Sequence, residues 1–187
     1  PEYLNLKLDY PYFSIVILDI ENASDIEAEL GITAYQIEML NIGDMLEEKL
    51  RIFDQFYLVK EFSSLICILG QKTSNPNHFL QALHKAAASF LDDYSESRFF
   101  IKIGIGQITS SLWNLHLSFE SANHALKYRF FFPNQNVFDA KEALGRDFSL
   151  LSSTEIKEEE LIQLLCQKDK KAIEIWLHDF FLELSRK

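Results

Sequence analysis

The chain has 187 residues, 48% of them hydrophobic and 25% charged, a balance that buries a full core in one ordinary domain with an appendage. Six Gly and four Pro exclude a collagen-like or linker-dominated chain, and the hydrophobic content excludes a disordered one. Lys and Arg number 18 against 28 Asp and Glu, a net charge of −10 that repels phosphate backbones and makes the chain a poor nucleic-acid binder. Sixteen Phe point to a dense core or a hidden protein interface.

Tyr12 to Ile20 is a β-branched and aromatic run ending in acidic residues, the pattern of a central strand buried on both faces. From Ala34 the period changes. Tyr35, Met39, Ile42, Leu46, Leu50 and Phe53 recur every three or four residues and predict an amphipathic helix of about five turns. Strands near Gln55 to Val59 and Leu65 to Leu69 follow, and the short link Lys60-Glu61-Phe62-Ser63-Ser64 implies an antiparallel hairpin. Asn75-Pro76 opens a second helix, with the proline where a missing N–H is harmless, and Phe79, Leu83, Ala86/Ala87 and Phe90 give it an apolar stripe.

Phe99 to Gly106 predicts another strand, and Gly104 and Gly106 imply a close backbone approach or a bend at its end. Ser118 reads as the N-cap of a third helix, whose small residues Ala122 and Ala125 allow it to lie close against a sheet. Pro133-Asn134 stops that helix, and Val137-Phe138 can form a short last strand. The order β-α-β-β-α-β-α-β is an α+β pattern with one mixed or antiparallel sheet covered by helices.

After about Lys141 no strand pattern remains. Leu161 and Leu164/Leu165, then Ile173, Trp176/Leu177, Phe180/Phe181 and Leu184, form two apolar stripes separated near Gln167 to Lys170. They predict a helical pair that packs on the domain, on a second copy or on a neighbour. Cys67 and Cys166 both read as small buried hydrophobes, not as a disulfide or metal pair. The apolar runs are strand-length, and no leader precedes Pro1, so a reduced, cytoplasmic domain is expected. The start without Met suggests a piece of something larger.

The usual catalytic strings are missing: no Gly-x-Ser-x-Gly, no phosphate loop, no His-Glu-x-x-His and no Cys-x-x-Cys. His78, His84, His116, His124 and His178 share no metal-ligand spacing. Asp19 and Glu21 lie at i and i+2 on a strand end, so they face the same way, and paired carboxylates can hold Mg²⁺. A solvated strand end explains them more simply. Lys127-Tyr128-Arg129-Phe130-Phe131-Phe132 interleaves cations with aromatics, as nucleic-acid stacking surfaces do. In an acidic chain, the helix dipole accounts for these cations and packing for the rings.

With these segments in place, the chain resembles the GGDEF (diguanylate cyclase) fold in a degenerate version. Leu18-Asp19-Ile20-Glu21 resembles the first strand of that family, whose terminal Asp-x-Asp supplies a metal carboxylate. Ile103-Gly104-Ile105-Gly106 resembles its Ser-x-Gly strand; Ala122-Asn123-His124-Ala125-Leu126-Lys127-Tyr128 is similar to Ala-Asp-x-Ala-Leu-Tyr, and Asn134-Gln135-Asn136-Val137 to Gly-x-Asn-x-Val. A closer likeness is to the variant inside AraC-family response regulators. It runs through Ile103 to Gly106, Ser118-Phe119-Glu120-Ser121-Ala122-Asn123-His124-Ala125-Leu126 and Tyr128 to Phe131. The C-terminal helices, with Leu161-Ile162 and Lys168-Asp169, look like the connector preceding the DNA-binding domain there.

Active cyclases carry Gly-Gly-Asp/Glu-Glu-Phe in the hairpin, and here it reads Lys60-Glu61-Phe62-Ser63-Ser64-Leu65. Arg51-Ile52-Phe53-Asp54 fits the Arg-x-x-Asp pattern of the family's inhibitory cyclic-di-GMP site, and helix-end salt bridging fits it equally. The resemblance therefore implies a degenerate GGDEF-like domain over residues 1–142 and a helical connector over 143–187. The function it implies is non-catalytic signal relay in a homodimeric bacterial regulator that reaches DNA through a separate domain. A nucleotide or cyclic-dinucleotide receptor is the alternative. No catalytic, cofactor or metal residue is assigned.

Overall fold

The computed structural model describes residues 9–145, 164–166 and 170–185, and in it the described strands form one five-stranded sheet in the order β2-β3-β1-β4-β5. Strand β1 spans Tyr12–Ile20, β2 Gln55–Lys60, β3 Ser64–Gln71, β4 Ile101–Ile105 and β5 Val137–Asp139. Pairings β1–β3, β1–β4 and β2–β3 are antiparallel, and β4–β5 is parallel. The central strand is the apolar run at Tyr12, and its alternation splits the core in two. Val16, Leu18 and Ile20 face one layer, and Ile15 and Ile17 face the other.

The helices are α1 (Ala23–Leu30), α2 (Ile32–Leu50), α3 (Pro76–Asp93), α4 (Leu115–Leu126), α5 (Ala140–Gly145) and α6 (Lys170–Ser185). Helices α2 and α3 cover the larger core with the predicted stripes of Tyr35, Met39, Ile42 and Leu46, and of Phe79, Leu83 and Phe90. Asn75 caps α3 through its side chain, which accepts the Asn77 N–H at 2.9 Å. Helix α1 was not expected. It is short and buries only Ala23 and Ile26, so it leaves almost no periodic signal, and Gly31 at φ +82° makes the junction into α2.

Helix α4 lies on the opposite face, directly over β1 and β4. A Cβ at Gly104 would sit 2.6 Å from the Ala122 carbonyl oxygen, and one at Gly106 only 2.1 Å from that of Ser118. The close approach expected of the two glycines is therefore present, and fully buried Ala122 and Ala125 complete it. Ser118 is not the N-cap. A 3-10 turn over Leu112–Asn114 starts α4 three residues earlier, and Ser118 turns inward to accept the Ile15 N–H at 2.8 Å. Ser14 Oγ donates to the Gly106 carbonyl at 3.0 Å beside it. These bonds join segments about a hundred residues apart and leave no buried side-chain polar atom unpaired among the described residues.

Cys67 is buried in β3, and burial pushes its thiol up to about 12, with Glu47 adding to the shift. Cys166 is exposed, contrary to the expectation of two buried cysteines, because the predicted apolar run does not place it in a core. In α6, Trp176 and Phe180 stack at 5.2 Å, while Leu161 and the separator at 167–169 lie outside the described residues. No described helix is long and apolar enough to cross a membrane.

Gly106→Ala should lower unfolding stability in urea by about 2 kcal/mol or more, because the new methyl meets backbone and not a yielding side chain. Gly31→Ala, which meets nothing within 4 Å, should still lose about 2 kcal/mol, because φ +82° with ψ 157° is a conformation that essentially only glycine adopts. In native buffer iodoacetamide should modify Cys166 rapidly and Cys67 only after denaturation, checked by mass spectrometry of tryptic peptides.

Candidate functional site

The site lies where β1 leaves the sheet. Strand alternation turns Asp19 away from Leu18 and Ile20, toward the face that α4 covers, and Glu21 follows two residues later. Beyond α4 the chain tightens into a 3-10 turn, Lys127–Phe130, which carries Arg129 over that strand end. Arg129 Nη1 donates to Asp19 Oδ2, and its Nε lies 3.3 Å from Glu21 Oε1. One guanidinium thus spans both carboxylates. Two of the three side chains are about three-quarters shielded from solvent, and Glu21 is two-thirds shielded. The paired acids are therefore held by an internal cation, where the sequence alone suggested a solvated end. Arg129 was read as serving the helix dipole, and its partners 110 positions away gave no local signal.

Tyr128 is buried, as packing requires, whereas Phe130 is 68% exposed with Arg129 Cζ 5.4 Å from its ring. Lys102 on β4 stands opposite Asp19 in the register and is 6% exposed. It does not join the carboxylates. Its Nζ donates to the Pro133 carbonyl at 2.7 Å, the Gln135 carbonyl at 3.0 Å and Asn136 Oδ1 at 2.8 Å, which uses all three ammonium protons. The segment between α4 and β5 is thereby wrapped around one buried charge.

The hairpin closes over the same strand end, and three of its carbonyls accept hydrogen bonds within the protein. Ile20 N–H donates to the Ser63 carbonyl at 2.9 Å, and Glu61 N–H to that of Ser64 at 2.8 Å. Tyr35 Oη donates to the Phe62 carbonyl at 2.7 Å with the two rings 5.3 Å apart. Desolvation raises the Tyr35 phenol above its ordinary range, with Glu27 and then Asp19 adding to the shift. Nothing here resembles a glycine cradle for a phosphate. The hairpin departs in the structure, as in the sequence, from the Gly-Gly-Asp/Glu-Glu-Phe pattern that active cyclases carry.

Arg51 and Asp54 are not joined by an ion pair among the described residues, so helix-end salt bridging is not their role. Arg51 forms the C-terminal cap of α2 and its side chain is exposed. Asp54 Oδ2 accepts the Lys72 N–H at 2.6 Å and ties the start of β2 to the end of β3. Of the histidines, His84 is engaged most firmly, with Nε2 2.8 Å from Asp139 Oδ2. His116 Nδ1 lies 2.9 Å from the Trp113 carbonyl, and His124 packs 5.6 Å from the Tyr128 ring. No three metal-ligating side chains cluster among the described residues.

Comparison with known proteins settles the fold. The family model of the GGDEF-like domain matches residues 2–128, more than half of the chain. The chain belongs to the GGDEF-like domain family. Its structure is similar to the GGDEF domain of DgcB from Caulobacter crescentus, solved with c-di-GMP: TM-score 0.52, 12% identity, covering 70% of this chain and 78% of that one. It is also similar to the active GGEEF domain of a diguanylate cyclase from Vibrio cholerae, with TM-score 0.50 and 14% identity over 69% of this chain and 83% of that one. The S helix-GGDEF-EAL portion of LapD from Vibrio cholerae, bound to c-di-GMP, gives TM-score 0.52 and 14% identity over 71% of this chain and 30% of that one. No curated protein matches the chain. In this GGDEF-like domain Arg129 lies one residue beyond the matched segment.

Lys102→Met should cost about 1–3 kcal/mol in urea unfolding, since a buried ammonium and the three part-buried oxygens that hold it lose their hydrogen bonds. Arg129→Ala should cost only about 1 kcal/mol, because solvent still screens the partly exposed pairs. A larger loss for Arg129→Ala than for Lys102→Met would reverse this ranking.

Proposed function

We propose that this GGDEF-like domain is a non-catalytic relay and dimerisation segment of a bacterial AraC-type transcriptional regulator. Residues 1–142 form the degenerate GGDEF-like unit and 143–187 the connector. The segment couples an N-terminal receiver or sensor to a C-terminal helix-turn-helix domain, and it works in the cytoplasm. The observation that supports the non-catalytic reading is Arg129. It bridges Asp19 and Glu21 from within and offsets one of their two charges, where a cyclase of this family presents its metal carboxylate.

The hairpin supports the same reading, because it has no glycine to let a phosphate approach the backbone N–H groups closely. The regulator context rests on the Ser118 to Phe131 resemblance and on the charge of −10, which leaves DNA affinity to another domain. Helix α6, with Ile175 64% exposed, supplies apolar surface for self-association. A shift of the sheet then moves the connectors of both subunits together.

The alternative, a cyclic-dinucleotide receptor without cyclase activity, ranks second because the Asp54 carboxylate is already occupied by the Lys72 N–H. Calorimetric titration with cyclic-di-GMP separates the two readings, and saturable heat lost in Arg51→Ala would favour the receptor. Incubation with GTP and Mg²⁺ should yield no cyclic-di-GMP by liquid chromatography, and a product absent from a heat-denatured control would overturn the non-catalytic assignment. Light scattering should show a concentration-dependent dimer; a strict monomer at every concentration would remove the dimerisation role.

A further inference from the structure

Among the described residues, strand β4 lacks a paired strand along part of one edge. Glu21 N–H donates to the Phe100 carbonyl at 2.9 Å and Gly106 N–H to the Ile15 carbonyl at 2.8 Å, so the even-numbered residues of this strand bond to β1. The odd-numbered residues turn their N–H and C=O the other way. Ile103 N–H meets the Asn136 carbonyl at 2.8 Å, and β5 begins in register with Ile103 at Val137. Two residues earlier, at Ile101, that side of the strand has no paired strand among the described residues. Among the described residues nothing bonds the Ile101 N–H or C=O.

A cavity of about 420 Å³ opens against this bare edge. Glu21, Tyr94, Ser97, Phe100 and Asn136 line it together with Ile101. Phe100 leaves 62% of its surface exposed there, an apolar ring face with a polar edge nearby. Lys102 also borders the space, but its three protons are committed to Pro133, Gln135 and Asn136. The wall therefore offers an anion no free ammonium N–H, and the Glu21 carboxylate repels it. A purely apolar ligand would leave the Ile101 donor and acceptor dry and unpaired, a costly outcome. A single donor-acceptor pair is also too short to template an added strand.

We infer that this cavity binds a small, uncharged, planar heterocycle that carries a lactam edge, a ring N–H beside a C=O. The ligand carbonyl accepts the Ile101 N–H, the ring N–H donates to the Ile101 carbonyl, and the ring face stacks on Phe100. The volume suits a ligand of that size. The cavity borders the candidate site through Glu21 but uses neither Arg51 nor Asp54, and the relay reading does not depend on it.

The test is a ¹⁵N-detected titration of the full chain with uridine and inosine, each beside its N-methylated counterpart, 3-methyluridine and 1-methylinosine. Methylation removes the ring N–H and leaves the stacking face. At least one of the two nucleosides should move the Ile101 amide resonance saturably and slow its hydrogen exchange. Its methylated form should bind about tenfold more weakly, the factor that one lost hydrogen bond carries. Phe100→Ala, a surface change that leaves the core intact, should weaken binding by about tenfold through lost stacking. No Ile101 shift with either nucleoside overturns the inference, as does equal binding of the methylated forms.

Discussion

Contact between α4 and the sheet without intervening side chains is the constraint on which the rest of this structure depends. Gly104 and Gly106 remove the two Cβ atoms that would hold the helix off, and Ser118 bonds directly to the backbone of β1. The helix is thereby fixed in height and in rotation. Its C-terminal turn must then pass over the end of β1, and Arg129 reaches Asp19 and Glu21 as a consequence of that placement. Packing on one side of the molecule therefore decides the electrostatics at its rim.

Two cations sit near that rim and behave differently. Lys102 is buried, and three oxygens from one short segment satisfy it, so it organises the backbone between α4 and β5. Arg129 is partly wet and binds two carboxylates from another strand, so its contribution is mainly to local charge. A strand end with two acids and an internal guanidinium carries a net charge of −1 in place of −2. It attracts a divalent cation far less than the same acids would alone. The family fold is retained, with an internal ion pair at the end of its central strand.

Much of the fold was legible because the elements that carry it are strongly patterned. The Tyr12 to Ile20 run, the Tyr35 stripe, the hairpin at Lys60 to Ser64 and the Asn75-Pro76 helix start all appear where local pattern puts them. The glycines of β4 were legible too, because a strand has few other reasons to carry two. Helix α1 was missed because eight residues with two buried side chains produce no periodicity. Ser118 was misread because a buried hydroxyl bonded to a strand looks, in sequence, the same as a capping one. The Arg129 pairing was invisible for a further reason. A contact across 110 residues depends on the helix being seated, which no local spacing encodes.

The central position of β1 has a consequence for how this chain comes into being. Val16 pairs with Cys67 about fifty residues downstream and with Ile105 about ninety residues downstream, and Ile15 waits still longer for Ser118. During synthesis the most apolar strand leaves the ribosome long before either flanking strand exists. It must stay in an open, sticky form for several seconds at ordinary elongation rates. Contacts this distant along the chain also slow folding once synthesis is complete. The acidic residues that follow the strand, Asp19 and Glu21, are still free of Arg129 during that interval. Their charge then keeps nascent copies apart, a service to solubility that ends when the arginine arrives.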